Sequence, residues 1–568
     1  MSISSAWLSS INGQPLVAKG AIIASLGLIS IVLVILYRIF LHPLSRIPGP
    51  YLAKISNDWK NSKYRQGQWH EDIVKLHETY GRVVRIAPNE ISVVDEYAMK
   101  QLYGHGHNAA KTDWYRIWNP PGMSAIFSET DKPHHAFLRK RVSQAYSMSS
   151  MLKYEIYIQE CLDLLLHKLW DMTRSPIDID IASWINALAF DVVGELAYGQ
   201  ELGHIRTGTD VHGLRNTIYG AFVWLSCNGD NTVAKWLLNQ KKLAKIMPNP
   251  FGSFLTWSTD VVTARMTGKD DVERDDMLNH FCRMKTADGK AAGLDDVLVE
   301  AMNLVGAGAD TTSIGMKANL YYLAKNPRHY KLLQAEVDAY YKDNHLSEPI
   351  KYLQTQQLPT LQAIVKESTR LLPSIVFQLP RVAPPNLTIR DYHIPVGTSI
   401  GISLIAQNRD KEIWGPDAND FRPERWLEDE ARARYLDSSN MTFGGNGPRT
   451  CIGKNIALVE MHKYIAQFIH HFDFELVNPD KPWCITSHWF AMQHEFKLRV
   501  TRREHAVPGS VRNPLHRLDQ MMGLECLDIR ERCSRIANRD ATTRHEEIGL
   551  REISTHWQLG PDAKCFPT

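Results

Sequence analysis

The chain has 568 residues, enough for several small domains or one very large one, and its composition is that of an ordinary globular protein. The formal net charge of +3 favours no particular class of partner and gives no reason to expect nucleic acid. Eight cysteines are spread thinly without a Cys-x-x-Cys pair, which excludes the usual zinc-binding spacing and a dense disulfide framework.

An uncharged apolar segment lies near the N-terminus, at residues 20–37, and continues past Arg38 to residue 41. As a helix, residues 20–37 reach about 27 Å, close to the thickness of the hydrocarbon core of a membrane. A buried core helix and a cleaved signal peptide are the alternatives to a membrane anchor. Arg38, Arg46 and Lys54 follow the segment and Lys19 precedes it, so the positive-inside rule places the rest of the chain in the cytosol.

Prolines after this segment predict a stiff hinge, and the composition changes again near the C-terminus. The predicted division is an anchor segment at residues 1–41, a hinge at 42–56, a mainly helical body with a small β region at 57–503, and a charged, poorly ordered tail at 504–568. Two short runs, 83–86 and 90–94, predict a β-hairpin. Long helical patterns cover residues 149–170, 181–198, 294–325, 327–341, 360–372 and 452–470.

The helical pattern at 294–325 carries two glycines, Gly306 and Gly308, beside the pair Asp310 and Thr311. Glycine inside a helix costs roughly 1 kcal/mol relative to alanine, so two of them need a reason. Thin side chains permit the close approach of a planar group, and the acid beside the hydroxyl can relay protons to it. A helix-packing seam with a solvent-facing aspartate is the alternative.

Three further groups of charged residues have spacings that suit a buried site. Glu367 and Arg370 share a helical face at i,i+3, and Arg425 in a proline-bounded loop can complete a buried network with them. His135 and Arg139 share a face at i,i+4. Together with Arg381 and Arg449 these two form a donor set suited to two carboxylate groups, whereas the alternative for each is a solvated surface charge.

A glycine-rich loop from Phe443 to Gly453 contains Cys451, with Arg449 two residues before it and a predicted helix after it. A helix N-terminus favours a thiolate through its dipole and its unpaired N–H groups. Glycines let the backbone approach a flat cofactor closely. These conditions suit an axial ligand to haem iron, and a buried structural cysteine is the alternative.

These stretches, in this order, resemble the cytochrome P450 family of haem-thiolate monooxygenases, and the resemblance covers about residues 42–503. The cysteine loop matches the pattern Phe-x-x-Gly-x-Arg-x-Cys-x-Gly through Gly447, Arg449, Cys451 and Gly453. Phe443 stands eight residues before the cysteine where the pattern has seven, and Gly444 takes that place. The loop therefore carries one extra residue.

The remaining motifs match as well. Residues 307–312 correspond to the oxygen-activation motif, residues 367–370 to the Glu-x-x-Arg motif, and Arg425 to the arginine that completes its triad. His135 and Arg139 correspond to the propionate-binding helix, with histidine where many members have tryptophan. Residues 142–147 and 190–199 are similar to filamentous-fungal members near the pisatin demethylase and benzoate hydroxylase groups, many of which tailor secondary metabolites.

The resemblance implies a cytochrome P450 fold behind one N-terminal transmembrane helix, with haem b (iron protoporphyrin IX) ligated by Cys451. It implies a reaction that inserts one oxygen atom from O2 into a hydrophobic small molecule, with electrons from NADPH-cytochrome P450 reductase. The protein would be a single-pass protein of the endoplasmic reticulum membrane with a cytosolic catalytic domain. The implied roles are proton delivery for Asp310 and Thr311, haem contact for Gly308, propionate binding for His135, Arg139, Arg381 and Arg449, and reductase docking for Lys140, Arg141 and Lys454.

By family position, an apolar and aromatic substrate pocket is expected, with Gln378 as its polar anchor. The predicted lining is Trp114, Trp118, Phe127, Val305, Ile375, Phe377, Gln378 and Phe490. Three other interpretations stay open: a haem isomerase or dehydratase that needs no external electrons, a non-catalytic membrane-anchored haem-binding protein, and a protein without haem in which Cys451 is structural. The pair Asp310 and Thr311 argues against the first two.

Overall fold

The computed structural model describes residues 16–107, 109–118, 124–238, 240, 251–270, 274–346 and 348–503. The predicted tail at 504–568 lies outside these described residues. Within them the chain is mainly helical, as predicted. The helices are α1 Leu16–Leu36, α2 Tyr51–Ile55, α3 Asn57–Gln66, α4 Trp69–Tyr80, α5 Glu96–Tyr103, α6 Lys132–Val142, α7 Met148–Met172, α8 Ile181–Tyr198, α9 His204–Thr207, α10 Leu214–Asn228, α11 Thr232–Leu238, α12 Gly252–Met266, α13 Met277–Cys282, α14 Leu294–Lys325, α15 Pro327–Asp343, α16 Tyr352–Thr355, α17 Pro359–Leu371, α18 Leu404–Gln407, α19 Lys411–Trp414, α20 Glu430–Ser439 and α21 Lys454–His471.

Short strands form small sheets around the helices. The strands are β1 Val83–Ala87, β2 Glu90–Val93, β3 Ile177–Asp180, β4 Arg381–Val382, β5 Leu387–Ile389, β6 Tyr392–Ile394, β7 Ser399–Ile402, β8 Phe472–Leu476, β9 Cys484–His488, β10 Phe490–His494 and β11 Lys497–Arg502. A four-stranded sheet has the order β1-β2-β7-β4, in which only β2 and β7 are parallel. A three-stranded sheet has the order β3-β11-β8, and β9-β10 and β5-β6 form two-stranded sheets.

The predicted hairpin is confirmed, with Val83 opposite Val93 in the antiparallel pair β1-β2. The six long helical patterns are confirmed as α7, α8, α14, α15, α17 and α21, with ends within two residues of the predicted ones. Long apolar periodicity, bounded by residues that cap or break helices, carries this agreement.

Helix α14 runs through the centre of the body, where Ala301, Ala309 and Met316 are fully buried. It packs against α8, α17 and α21. A Cβ atom on Gly308 would lie 3.0 Å from Cγ1 of Val193 in α8, so that glycine serves the close packing of two helices. The prediction that Gly308 makes room for a planar cofactor is therefore corrected, because its open side faces a neighbouring helix.

Residues 20–41 form the one described helix that is long and apolar enough to cross a membrane, with a mean hydropathy of 2.6 and no burial within the protein. The predicted hinge at 42–56 is partly helical, since α2 lies inside it. Leu44 and Ile47 are buried, and the Pro48 carbonyl accepts a hydrogen bond of 2.7 Å from the Arg85 N–H in β1. These contacts attach the segment after the apolar helix to the first sheet.

Candidate active site

The cysteine loop is closed by its own hydrogen bonds. Gly444 and Gly445 have φ values of 80° and 78°, a left-handed conformation that favours glycine. The Cys451 N–H donates to the Phe443 carbonyl at 2.9 Å, so Phe443 still borders the cysteine despite the extra residue. Gly447 is required for space, since a Cβ atom there would lie 1.8 Å from the Tyr103 carbonyl oxygen. The turn at these two glycines accommodates the extra residue of the loop without breaking the contact between Phe443 and Cys451.

The Cys451 side chain is exposed, although protein surrounds it closely enough that burial raises the pKa of its thiol. The N–H groups of Gly453 and Lys454 and the charges of Arg139 and Lys454 oppose the rise by lowering the pKa. Helix α21 begins at Lys454, so its N-terminal N–H groups point at the sulfur. A bound metal cation would complete the ionisation of this thiol.

Helix α14 carries a second accessible position within a buried stretch. Ala307 is exposed and Thr311 is half-buried, while Ala309 and Asp310 beside them are buried. The Thr311 hydroxyl donates to the Ala307 carbonyl at 2.7 Å, and the helix is continuous here. Ser374 donates to the Thr311 carbonyl at 2.6 Å, which ties the segment after α17 to this face.

Asp310 is 3% exposed, and its Oδ2 has no hydrogen-bond partner among the described residues. Burial raises the pKa of this carboxyl group to about 6, and the charges of Lys317 and Arg215 lower it in part. The solvent-facing aspartate that the packing alternative expects is therefore excluded. A carboxyl group with this pKa exchanges protons near neutral pH.

Basic side chains converge near the cysteine loop. Arg381 is 2% exposed and donates to the Tyr115 hydroxyl at 2.7 Å. Arg139 donates to the Thr450 carbonyl at 2.8 Å. Burial, followed by the charge of Arg381, lowers the pKa of Arg449 to about 10.

The charges in this group repel one another. Burial, followed by the charges of Lys111, Arg449, Arg139 and Arg381, lowers the pKa of His135 to about 3. Lys111 was not expected from the sequence; it is buried, and its amine donates to the Ile126 and Phe127 carbonyls at 2.9 and 2.5 Å. Its pKa is also lowered, by burial and then by Arg449 and Arg381. Crowded cations of this kind fit a cofactor that brings two carboxylates.

Glu367 lies at the centre of a buried network that joins α17 to the loop before α20. Its carboxylate accepts from Arg370 Nε at 2.9 Å and Nη2 at 2.8 Å, and from Arg425 Nε at 2.9 Å. Glu367 and Arg370 are fully buried and Arg425 is 4% exposed. The indole N–H of Trp426 and the backbone N–H of Arg422 complete the set at 3.0 Å each, and the sequence did not indicate either.

Several predicted pocket residues lie in one aromatic cluster. The Trp118 ring lies 5.4 Å from Phe127, 5.1 Å from Phe222 and 5.0 Å from Trp489, measured between centroids. Phe490 stacks on Phe222 at 4.8 Å. Trp114 joins the cluster by stacking on Trp489 at 5.5 Å. Phe222 in α10 was not predicted, because nothing in its local sequence indicates that α10 reaches this cluster.

The other predicted pocket residues have different surroundings. Val305 in α14 is buried, and half-buried Ile375 pairs with Phe490 in an isolated β-bridge. Phe377 is buried by stacking on Tyr64 at 3.8 Å.

The prediction that Gln378 is a polar anchor in the pocket is corrected. Gln378 is 4% exposed, and its amide donates to the Glu90 carboxylate at 2.6 Å and to the Ile91 carbonyl at 3.3 Å. The side chain is thereby fixed to strand β2.

The predicted reductase contacts also differ from one another. Lys140 is exposed and Lys454 is half-buried. The Arg141 side chain is only 7% exposed and pairs with Asp296 at 2.8 Å and with Glu300 at 3.1 Å. Arg141 therefore joins α6 to α14, and it is removed from the predicted docking surface.

Comparisons with known proteins identify a family that fits the cysteine loop and the basic residues around it. The sequence model of the cytochrome P450 family matches residues 49–501. The chain is 33% identical over 492 residues to cytochrome P450 monooxygenase gsfF of Penicillium aethiopicum, an alignment that covers 82% of this chain and 94% of the relative. It is 32% identical over 478 residues to pisatin demethylase of Fusarium vanettenii, with 82% and 90% covered. It is 33% identical over 469 residues to cytochrome P450 monooxygenase hepC of Aspergillus oryzae, with 78% and 89% covered. The chain belongs to the cytochrome P450 family, and it is a haem-dependent monooxygenase.

Proposed function

We propose that this protein inserts one oxygen atom from O2 into a hydrophobic metabolite of a fungal secondary pathway, using electrons that a flavin-containing reductase draws from NADPH. The observation that carries the proposal is the exposed side chain of Cys451, which protein surrounds closely and whose sulfur has two backbone N–H groups directed at it. The relatives named as monooxygenases of Penicillium and Aspergillus support the fungal metabolic setting.

The described residues fit the haem of the family. Cys451 would be the axial ligand, and Arg139, Arg381, Arg449, His135 and Lys111 would surround the two propionates. Bound haem supplies the iron at which dioxygen is reduced, and thiolate ligation favours cleavage of its O–O bond. Around bound haem, the N–H groups at the start of α21 would stabilise the thiolate, and the basic side chains would neutralise the propionates.

Asp310 and Thr311 would deliver the protons that the reduction of dioxygen requires. The Thr311 hydroxyl is half-buried on the accessible face of α14, where it would hold a proton available to the haem side of the helix. The carboxyl group of Asp310, whose pKa is raised to about 6 by burial, can replace each proton that the hydroxyl gives up.

Thr311→Ala is expected to release about tenfold more hydrogen peroxide per NADPH consumed, with a matching loss of product, because the hydroxyl that donates protons is gone. Peroxide and product are measured together with NADPH oxidation in the reconstituted enzyme. Thr311→Ser is the matched control, since it keeps the hydroxyl and should retain most of the coupling. Unchanged coupling in Thr311→Ala would remove the residue from proton delivery.

The substrate would be a flat, hydrophobic and polycyclic molecule. The half-buried rings of Trp118, Phe127 and Phe222 pack in one cluster with the buried Trp489 and Phe490. The accessible parts of such rings stack on flat apolar molecules. Gln378 has no role in this proposal because its amide is bonded to Glu90.

The domain plan that we propose keeps residues 1–41 as a membrane anchor of the endoplasmic reticulum, 42–56 as the hinge and 57–503 as the cytosolic catalytic domain. The apolar helix at residues 20–41 supports the anchor. Exposed Lys140 and half-buried Lys454 would meet the acidic surface of the reductase on the cysteine side.

Removal of residues 1–36 is expected to move most of the protein from the membrane fraction to the soluble fraction while its haem spectrum stays unchanged. The shortened chain keeps the turn at residues 37–41, whose Arg38 carbonyl accepts a hydrogen bond of 2.9 Å from Arg85. Fractionation by centrifugation measures the change. Retention of the shortened chain in washed membranes would show that another surface carries the membrane contact.

The experiment that tests the proposed function is reconstitution of the full chain with an NADPH-dependent reductase and a panel of polycyclic aromatic metabolites. Oxygenated product is expected only when NADPH, reductase and O2 are all present. Product that forms without the reductase would contradict the proposal and favour an isomerase or a dehydratase. A chain that binds haem and forms no product from any member of the panel would favour the non-catalytic interpretation.

A further inference from the structure

Two buried charges lie on one face of helix α14. Asp310, Ser313 and Lys317 are three, four and seven residues apart, a spacing that places them on a common stripe. Asp310 is 3% exposed and Lys317 is fully buried. Among the described residues, neither Oδ2 of Asp310 nor Nζ of Lys317 has a hydrogen-bond partner. The sequence analysis did not single out Lys317.

An unpaired charge is expensive to bury, so this arrangement needs an explanation. The two Cα atoms are about 10 Å apart along the helix axis, which leaves room for water between the amine and the carboxylate. Burial has the largest effect on the pKa of each group, and the charge of the other group has the next largest. Lys317 lowers the pKa of Asp310, and Asp310 raises the pKa of Lys317. Bridging water is the natural partner for both polar atoms.

The far side of Lys317 leads to the protein surface. Asp180, the N-cap residue of α8, is exposed and acts on the Lys317 amine, as does Arg215. His494 at the end of β10 is exposed, and the charge of Lys317 lowers its pKa. Gln493 next to it donates to the Ile314 carbonyl at 3.1 Å, which fixes β10 to α14 one turn before Lys317. Two exposed residues, Asp180 and His494, therefore lie within electrostatic range of the Lys317 amine.

We propose that Lys317 is a proton carrier that feeds Asp310 through bridging water and is itself recharged from solvent beside Asp180 and His494. This inference rests on the proposed function and extends its proton path by one residue. In the transfer, the Lys317 ammonium loses a proton to water, water passes a proton to Oδ2 of Asp310, and the neutral amine takes a proton from the solvent side. No oxidant or reductant takes part.

The pKa values of the two groups set the cost of this transfer. Burial lowers the pKa of Lys317 to about 8 and raises that of Asp310 to about 6. A proton therefore moves between them against a difference of roughly two pKa units, a modest barrier for a relay. The other charged or titratable groups that act on the pair are Asp210, Arg215 and Tyr219 near Asp310, and Asp180, Arg215 and His494 near Lys317.

Replacement of Lys317 by arginine distinguishes a proton carrier from a fixed charge, because a guanidinium group does not release its proton in a protein. Lys317→Met removes both the charge and the proton, whereas Lys317→Arg keeps the charge alone. Lys325→Met is the matched control, since Lys325 lies on the same helix but is exposed. Lys317→Gln is a second neutral variant in case methionine disturbs the fold, and the carbon monoxide spectrum checks haem binding in each protein.

The first measurement is independent of turnover. Infrared difference spectra of the resting haem-loaded protein follow the carbonyl stretch of protonated Asp310 against pH, and Asp310→Asn identifies the band. In Lys317→Met the pKa of Asp310 should rise, because a cation that lowers it is lost, and in Lys317→Arg it should stay near the wild-type value. An unchanged titration in both Lys317→Met and Lys317→Gln would overturn the coupling between the two groups.

The second measurement compares turnover driven by NADPH and reductase with turnover driven by hydrogen peroxide, which brings its own protons. Both Lys317→Met and Lys317→Arg should lose about tenfold or more of the NADPH-driven product and keep the peroxide-driven product. Full NADPH-driven turnover in Lys317→Arg would overturn the relay and leave Lys317 as a fixed charge. Absence of product from the wild-type chain under both conditions would instead contradict the proposed function.

Discussion

Cys451→Ser is expected to abolish the thiolate-type carbon monoxide spectrum of the reduced protein and to reduce turnover to background. A serine hydroxyl stays protonated where the thiol ionises, so the iron would lose its anionic sulfur ligand and the electron donation that favours O–O cleavage. The two backbone N–H groups at the start of α21 stabilise a thiolate and do not supply a replacement ligand.

Cys282→Ser is the matched control for this substitution, because Cys282 is a half-buried free cysteine outside the loop. It should leave the spectrum and turnover unchanged. Haem content is measured in both variants by extraction, which separates loss of the ligand from loss of the cofactor. A normal thiolate-type spectrum in Cys451→Ser would contradict the assignment of the axial ligand and revive the structural interpretation of the cysteine.

Glu367→Gln is expected to destabilise the body by about 3–5 kcal/mol, because it leaves the charges of two buried arginines without their carboxylate. Arg370 would keep only backbone carbonyl acceptors, such as that of Asn408 at 2.6 Å. Arg425 would keep the Trp414 carbonyl at 3.0 Å and the half-buried Asp417 carboxylate at 3.4 Å. The fall in stability is measured as the shift of the urea midpoint at which the thiolate-type spectrum is lost. Poor expression of the haem-loaded form is expected alongside it.

Glu336→Gln is the control for a carboxylate in the same region. Glu336 accepts from the Thr360 and Leu361 N–H groups at 2.9 and 3.1 Å, at the start of α17, and it is half-buried. Its loss should cost about 1 kcal/mol, as is usual for a charge at a helix N-terminus. Equal shifts of the urea midpoint for the two variants would mean that the buried network stabilises the protein no more than an ordinary helix N-terminal carboxylate does.

Local patterns account for most of what the sequence predicted correctly. Helix α14 was predicted to its exact ends because Gly293 precedes it and Asn326 and Pro327 follow it, and these residue types mark helix boundaries. The pair Glu367 and Arg370 was predicted from i,i+3 spacing and Arg425 from its proline-bounded loop, and the structure adds the Trp426 indole and the Arg422 N–H.

Contacts between distant parts of the chain account for what the sequence did not predict. Arg141 looked like a surface cation because its partners, Asp296 and Glu300, lie more than 150 residues away. Gln378 looked like a pocket residue because its partner Glu90 lies 288 residues away. No local pattern contains such pairs, since they depend on which elements the fold brings together.

The local sequence also does not show which side chains of a helix are buried. Lys317 reads as one polar residue in an amphipathic pattern, yet it is fully buried because α14 is covered on its sides by α8, α17 and α21. Gly308 reads as an opening for a cofactor, yet Val193 lies against it. Both outcomes follow from the central position of α14.

The central claim is that this chain transfers one atom of dioxygen to its substrate, and incorporation of isotopically labelled dioxygen tests it most directly. The full chain, reconstituted with reductase, NADPH and labelled O2, should give a product that carries one labelled oxygen atom, and labelled water in place of labelled O2 should give none. A product that contains no label from O2, formed by a protein with an intact thiolate-type spectrum, would contradict the account.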